Sequence, residues 1–185
     1  MKIAIFGGSF NPVHNGHLQV AEVILKKNIV DEVWFIPCGN HAFDKNLIEG
    51  QKRWEMLNLA INGNPRMKVL DLEIKSKEKS YSAKTIRVLK EEFPFDFFFV
   101  IGSDNLKDLD KWNNFEYLRD NVEFIVVHRP GYEISNSWGI KMKPVELISN
   151  LSSTQIRDNL KNRKSISGLV PKEVDEYIAK GELYK

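Results

Sequence analysis

Two histidines stand three residues apart behind a pair of glycines in GGSFNPVHNGH, residues 7–17. At i and i+3 near a helix start, His14 and His17 can point the same way. Gly7 and Gly8 let backbone amides approach an anion closely, and a helix N-terminus beside them adds its dipole. These residue types suit a phosphate group, with two imidazoles as donors. The turn is not a Walker loop, since no Gly-Lys-Ser/Thr follows, and it is not G-x-G-x-x-G. Zinc would need more ligands, and the remaining histidines, His41 and His128, stand alone beside a single cysteine, Cys38. A plainer reading, in which both histidines fill space or cap a helix, fits two of them on one glycine turn less comfortably.

A second group lies far downstream in LSSTQIR, residues 151–157. Ser152, Ser153 and Thr154 open a helix, with Arg157 three residues past Thr154. Free amides, hydroxyls and a guanidinium converging there suit a polyphosphate tail. Taken alone, the segment reads as ordinary capping by serine with a solvated arginine. Paired with the glycine turn, it reads as phosphate binding.

The elements that must position these groups alternate along the chain. Lys2–Phe6 reads as a buried strand ended by Gly7 and Gly8, and a mildly amphipathic helix follows from about Gly16. Residues 31–37 read as a second strand, 38–50 as a polar loop, and 51–61 as a helix with Trp54, Leu57 and Ile61 on one face. Residues 67–74 read as an alternating strand. Residues 80–93 read as a helix capped by Ser80 or Ser82. The solid apolar run of 95–102 is expected of a central strand buried on both faces. Residues 103–120 are helical in two pieces, 122–131 a strand ended by Pro130-Gly131, 132–144 a long excursion, and 152–162 and 171–184 helices. This alternation predicts an α/β fold, a doubly wound parallel sheet with helices on both faces. In such sheets ligands sit beyond the carboxyl ends of the strands, where strand order reverses.

Composition narrows the function classes. The 185 residues are expected to form one domain, with 42% hydrophobic and 28% charged residues. A net charge of +2 gives no bulk electrostatic case for nucleic acid. One cysteine rules out an internal disulfide framework. With no signal-like segment and no run of membrane-spanning length, the expectation is a cytoplasmic protein off the membrane. A homo-oligomer stays open.

GGSFNPVHNGH together with SSTQIR resembles the nucleotidyltransferases that carry H-x-G-H and a matching S-S-T-x-I-R. YSAKTIRVLKEEFP, FFFVIGSDNLKDLDKW, VVHRPG and LVPKEVDEYIAKGELY follow in the order of bacterial nicotinate mononucleotide adenylyltransferases. The resemblance covers nearly the whole chain. It implies a Rossmann-like sheet of nucleotidyltransferase type over residues 1–185. The implied partners are ATP and nicotinate mononucleotide, the products deamido-NAD and pyrophosphate, and the cofactor Mg²⁺, held mainly through substrate phosphates.

Roles follow by resemblance. Gly7, Gly8, Ser9 and Phe10 would wrap the reacting phosphates with backbone amides. His14 and His17 would donate to the ATP phosphates, and Arg157 with Ser153 and Thr154 would hold the β- and γ-phosphates. Gly102 and Asp104 match positions for the adenosine ribose or the metal shell, although a helix cap explains Asp104 equally well. Thr85, Trp112 and Arg129 resemble mononucleotide contacts. For Trp112, stacking on a pyridine ring competes with ordinary packing, and for Arg129 a surface or hinge role competes. No protein group is expected to ligate a metal.

One departure concerns the loop after the second strand. The family places His and Lys side by side there, whereas in PCGNHAFDKNL His41 and Lys45 are separated by Ala-Phe-Asp. Lys45 reads as a flexible phosphate contact or as a solvated loop lysine. The change leaves nicotinamide mononucleotide open as an additional substrate. Pantetheine-phosphate adenylyl transfer shares the first motif but is disfavoured by SSTQIR and VPKEVDEYI. A non-catalytic nucleotide sensor is disfavoured by the intact His14, His17 and Arg157.

Overall fold

The computed structural model describes residues 1–41, 47–76, 78–147 and 150–184, apart from the side chains of Asn40 and His41. In chain order the elements are β1 (Lys2–Gly8), α1 (Asn15–Lys26), β2 (Glu32–Pro37), β3 (Asn40–His41), α2 (Gly50–Ile61), β4 (Met67–Val69), β5 (Lys79–Ser80) and α3 (Ser82–Glu92). There follow β6 (Asp96–Gly102), a 3₁₀ segment (Ser103–Lys111), α4 (Phe115–Asn121), β7 (Glu123–Val127), β8 (Met142–Val145), α5 (Ser153–Lys161) and α6 (Lys172–Lys180). Six strands form one sheet in the order β4-β2-β1-β6-β7-β8, and every pair in it is parallel. Short β3 and β5 pair separately.

Alternate residues of the apolar strands feed two cores. On one face Ala4, Phe35, Val100 and Ile125 meet apolar side chains of α1, α2, α5 and α6. On the other, Ile5, Trp34, Phe99 and Phe124 meet α3, the 3₁₀ segment and α4. Helices therefore cover both faces, which is why β6 reads as a continuous apolar run.

The strand order reverses between β1 and β6, and there the two strands part. Their pairing ends at Ile5↔Phe99, yet β1 runs on beside β2 to Gly8↔Pro37 and β6 beside β7 to Gly102↔Val127. The glycines thus extend the strand rather than ending it.

Several boundaries differ from the sequence reading. The strand expected over 67–74 stops at Val69; residues 71–75 instead close a turn, with the Lys75 amide on the Asp71 carbonyl at 3.0 Å. Neither Ser80 nor Ser82 caps α3. Its cap residue is Tyr81, which makes no side-chain cap bond, and the Ser80 hydroxyl accepts the Gly39 amide at 2.9 Å instead. The excursion contains β8, whose Pro144 fits its place at the sheet edge. On α2 the buried residues are Arg53, Met56 and Leu57, with Trp54 and Ile61 only partly covered. Among the described residues no helix is long and apolar enough to cross a membrane.

Candidate functional site

Where β1 and β6 part, the surface opens into a cleft of about 1160 Å³. From β1 and its turn come Gly7, Gly8, Ser9 and Phe10; from α1, His17; from the end of β6, Gly102 and Asp104; from α5, Ser153, Thr154 and Arg157. Thr85, Trp112 and Arg129 line the same cleft. His14 does not. It faces a small adjoining pocket that also touches His17, Gly102 and Arg129. Lys45 lies outside the described residues.

His14 is the cap residue of α1, in extended conformation, and its amide donates to Nδ1 of His17 at 3.2 Å. Nδ1 of His17 is therefore the acceptor nitrogen, and the proton of the neutral ring resides on Nε2. The two imidazoles stack with centroids 3.7 Å apart. Burial and the nearby Arg129 guanidinium lower the His14 pKa to about 4. Burial, His14 and Arg129 hold His17 well below its usual value. Near pH 7 both rings are neutral, and each donates through one N–H rather than as an imidazolium.

Phe10 adopts a left-handed conformation, φ 46°, which turns its ring inward against Phe6, Phe35 and His17. Gly8 lies beneath that ring, where a Cβ would stand 3.0 Å from Phe10 Cζ. The side chain of Phe10 is thus a core group, 2% exposed, whatever its amide contacts.

α5 is fastened to the turn it faces. Ser152 caps it by accepting the Gln155 amide. Ser153 donates to the Pro12 carbonyl at 2.8 Å, and Arg157 donates to the Asn11 carbonyl at 2.8 Å and to Thr154 Oγ1 at 3.2 Å. Tyr184 bonds the Asn11 side chain. The two phosphate-suited segments, 141 residues apart between Pro12 and Ser153, are therefore one structure.

Over the end of β6, Arg129 Nε meets Asp104 Oδ1 at 2.9 Å. The pair lies across Gly102, where a Cβ would fall 2.2 Å from Asp104 Oδ1 and 2.5 Å from Arg129 Nε. Trp112 packs edge-on against Phe99, centroids 6.1 Å apart. Thr85 is buried, and its hydroxyl donates to Glu73 Oε1 at 2.5 Å.

The sequence did not single out the cleft-lining Lys111 and Lys161, nor two charged groups that shape the site. Arg53 is 1% exposed and donates to the carbonyls of Ser9, Cys38 and Ile48, tying the glycine turn to the segment after β2. An arginine among the apolar residues of α2 was its signal. Glu73 lines the cleft, and burial raises its pKa against the lowering pulls of Thr85, Ser80 and Arg53. The alternating look of MKVLDLEI, residues 67–74, hid it inside a supposed strand. Among the described residues no three His, Cys, Asp or Glu side chains stand together as a metal site.

The chain is similar to known proteins over its whole length. The cytidylyltransferase-like family model matches residues 5–159. The nicotinate-nucleotide adenylyltransferase of Bacillus subtilis is 36% identical, covering 100% of this chain and 98% of its own length. A probable nicotinate-nucleotide adenylyltransferase of Bacillus licheniformis is 37% identical over the same shares. The nicotinic acid mononucleotide adenylyltransferase of Plasmodium falciparum, solved with NaAD, superposes with a TM-score of 0.87 at 27% identity, covering 99% of this chain and 97% of that one. The chain belongs to the cytidylyltransferase-like nucleotidyltransferases and, among them, to the nicotinate-nucleotide adenylyltransferase family.

Proposed function

We propose that this protein transfers the adenylyl group of ATP to nicotinate mononucleotide, releasing pyrophosphate and forming deamido-NAD, within one catalytic domain spanning residues 1–185. The observation that carries the reading is the convergence of the glycine turn, His17 and the α5 face of Ser153, Thr154 and Arg157 on one cleft at the strand-order reversal. The acceptor's phosphate monoester has a second pKa of about 6 and is mostly dianionic near neutrality. Its oxygen attacks the α-phosphorus of ATP, that P–O bond forms, and the bond to pyrophosphate breaks. No proton has to be removed, so neutral histidines suit the task as N–H donors.

Catalysis is then positioning and charge stabilisation. The turn from Gly7 to Phe10 approaches the phosphates, His17 donates to them from the cleft with His14 stacked against it from the adjoining pocket as the second donor, and Arg157 with Ser153 and Thr154 holds the departing β- and γ-phosphates. Gly102 and Asp104 sit on the adenosine side, and Thr85, Trp112 and Arg129 on the mononucleotide side, with Lys45 a further contact from the loop. The sparse carboxylate set of the cleft fits an Mg²⁺ ion that would be held mainly by substrate phosphates and would supply charge neutralisation on the leaving group. We place the protein in the cytoplasm, free of membrane and nucleic acid, with the two nucleotides as partners.

Pyrophosphate release from ATP and Mg²⁺ tests this. Release is expected with nicotinate mononucleotide and near background with phosphopantetheine or with no acceptor. Release that ignores the acceptor, or that requires phosphopantetheine, would refute the assignment.

A further inference from the structure

We infer that Glu73 sets the choice between a pyridine carboxylate and a pyridine carboxamide on the acceptor, acting as a positioning residue through the hydroxyl of Thr85. This rests on the reading of Thr85 as a mononucleotide contact and deepens it. Both residues line the cleft, and Thr85 Oγ1 lies 2.5 Å from Glu73 Oε1. A threonine hydroxyl has one proton to give.

When Glu73 is ionised it can only accept. The Thr85 proton is then committed to it, or to the Tyr81 carbonyl at 3.3 Å, and Thr85 faces the substrate as an acceptor. That suits a carboxamide N–H and opposes a carboxylate, an opposition the nearby Glu73 charge reinforces. When Glu73 is protonated it donates to Thr85, whose own proton is freed for a substrate carboxylate. The switch takes one proton from solvent onto the Glu73 carboxylate and turns the Thr85 hydroxyl proton from Glu73 to the substrate, leaving the fold unchanged.

The surroundings of Glu73 favour its protonated form more than water does. Burial, the largest influence, lifts its carboxyl above the usual carboxylate range. Opposing this are the hydroxyls of Thr85 on α3 and Ser80 on β5, and the Arg53 guanidinium on α2. The Cys38 thiol, in the segment after β2, is pushed up by burial and is neutral across the same range.

The test is the ratio of kcat/KM for nicotinate mononucleotide to that for nicotinamide mononucleotide, followed from about pH 5 to about pH 8. His14, His17 and the acceptor phosphate act alike on both substrates and cancel in the ratio. The ratio should fall on the order of tenfold as pH rises, as a mispaired buried polar contact costs. In Glu73→Gln, which cannot ionise, it should be flat. Thr85→Val, which keeps the shape and removes the relay, should flatten it too, and serves if Glu73→Gln does not fold. A flat ratio in the unaltered protein, or a slope that survives either substitution, overturns the inference while leaving adenylyl transfer intact. No turnover of either nucleotide overturns both.

Discussion

His17 combines three constraints in one ring. Its Nδ1 accepts the His14 amide, its face stacks on His14, and it borders the cleft, so its remaining N–H is the donor free to meet phosphate. Removing such a donor costs on the order of 10²–10³ in turnover, and His17→Ala is expected to show that loss in kcat while its unfolding curve stays cooperative. Near-normal kcat in a folded variant would remove His17 from the mechanism. The histidine pair was legible in the sequence because of its spacing behind glycines. Its neutrality was not, because that follows from burial and from Arg129 arriving from beyond β7.

The pH dependence of stability belongs to the same scale. His14 titrates near 6.5 when unfolded and at about 4 when folded, so the unfolded chain takes up the proton first. Its contribution is fully present above about pH 6.5 and is lost as pH falls to about 4, amounting to about 3 kcal/mol. Urea midpoints between those values should fall less steeply for His14→Gln than for the unaltered protein. Parallel slopes would contradict the depressed pKa.

At the scale of elements, two glycines separate structure from chemistry. A Cβ on Gly39 would stand 2.1 Å from the Glu73 backbone carbonyl, which cannot swing away. Gly39→Ala should therefore destabilise by about 1–3 kcal/mol, read as a shifted urea midpoint. The three atoms nearest a Cβ on Gly102 all belong to the side chains of Asp104 and Arg129, not to the backbone. Gly102→Ala should fold within about 0.5 kcal/mol of the parent yet raise the KM for substrate by displacing that pair. Equal stability losses in the two variants would contradict this division. The sequence announced β1 and β6 by their apolar runs, α1 by its helical period and α5 by its capping serines. It misjudged residues 70–74, where local alternation imitates a strand but the chain leaves β2 after Val69 and turns back on itself through the Lys75 amide and the Asp71 carbonyl. It also missed β8, whose proline breaks the apolar pattern and is tolerated only at an edge. Arg53 was hidden for a related reason. A helix pattern says which residues face inward, not that loop carbonyls of Ser9, Cys38 and Ile48 wait there for a guanidinium.

For the whole molecule, the decisive feature is the parting of β1 and β6 beyond Ile5 and Phe99. Alternating strands and helices made a reversal of strand order foreseeable, and with it a site at the glycine turn. The meeting of that turn with α5 could be foreseen only by resemblance, because nothing local in either segment encodes a bond from Arg157 to the Asn11 carbonyl. The central claim is that this one cleft passes an adenylyl group directly between two bound nucleotides. ATP labelled in its α-phosphate, incubated with Mg²⁺, nicotinate mononucleotide and the protein, tests it most directly. Label is expected in the dinucleotide product, with none in pyrophosphate and none retained on the protein after denaturation. Label on the protein, or label confined to ATP and its hydrolysis products, would contradict it.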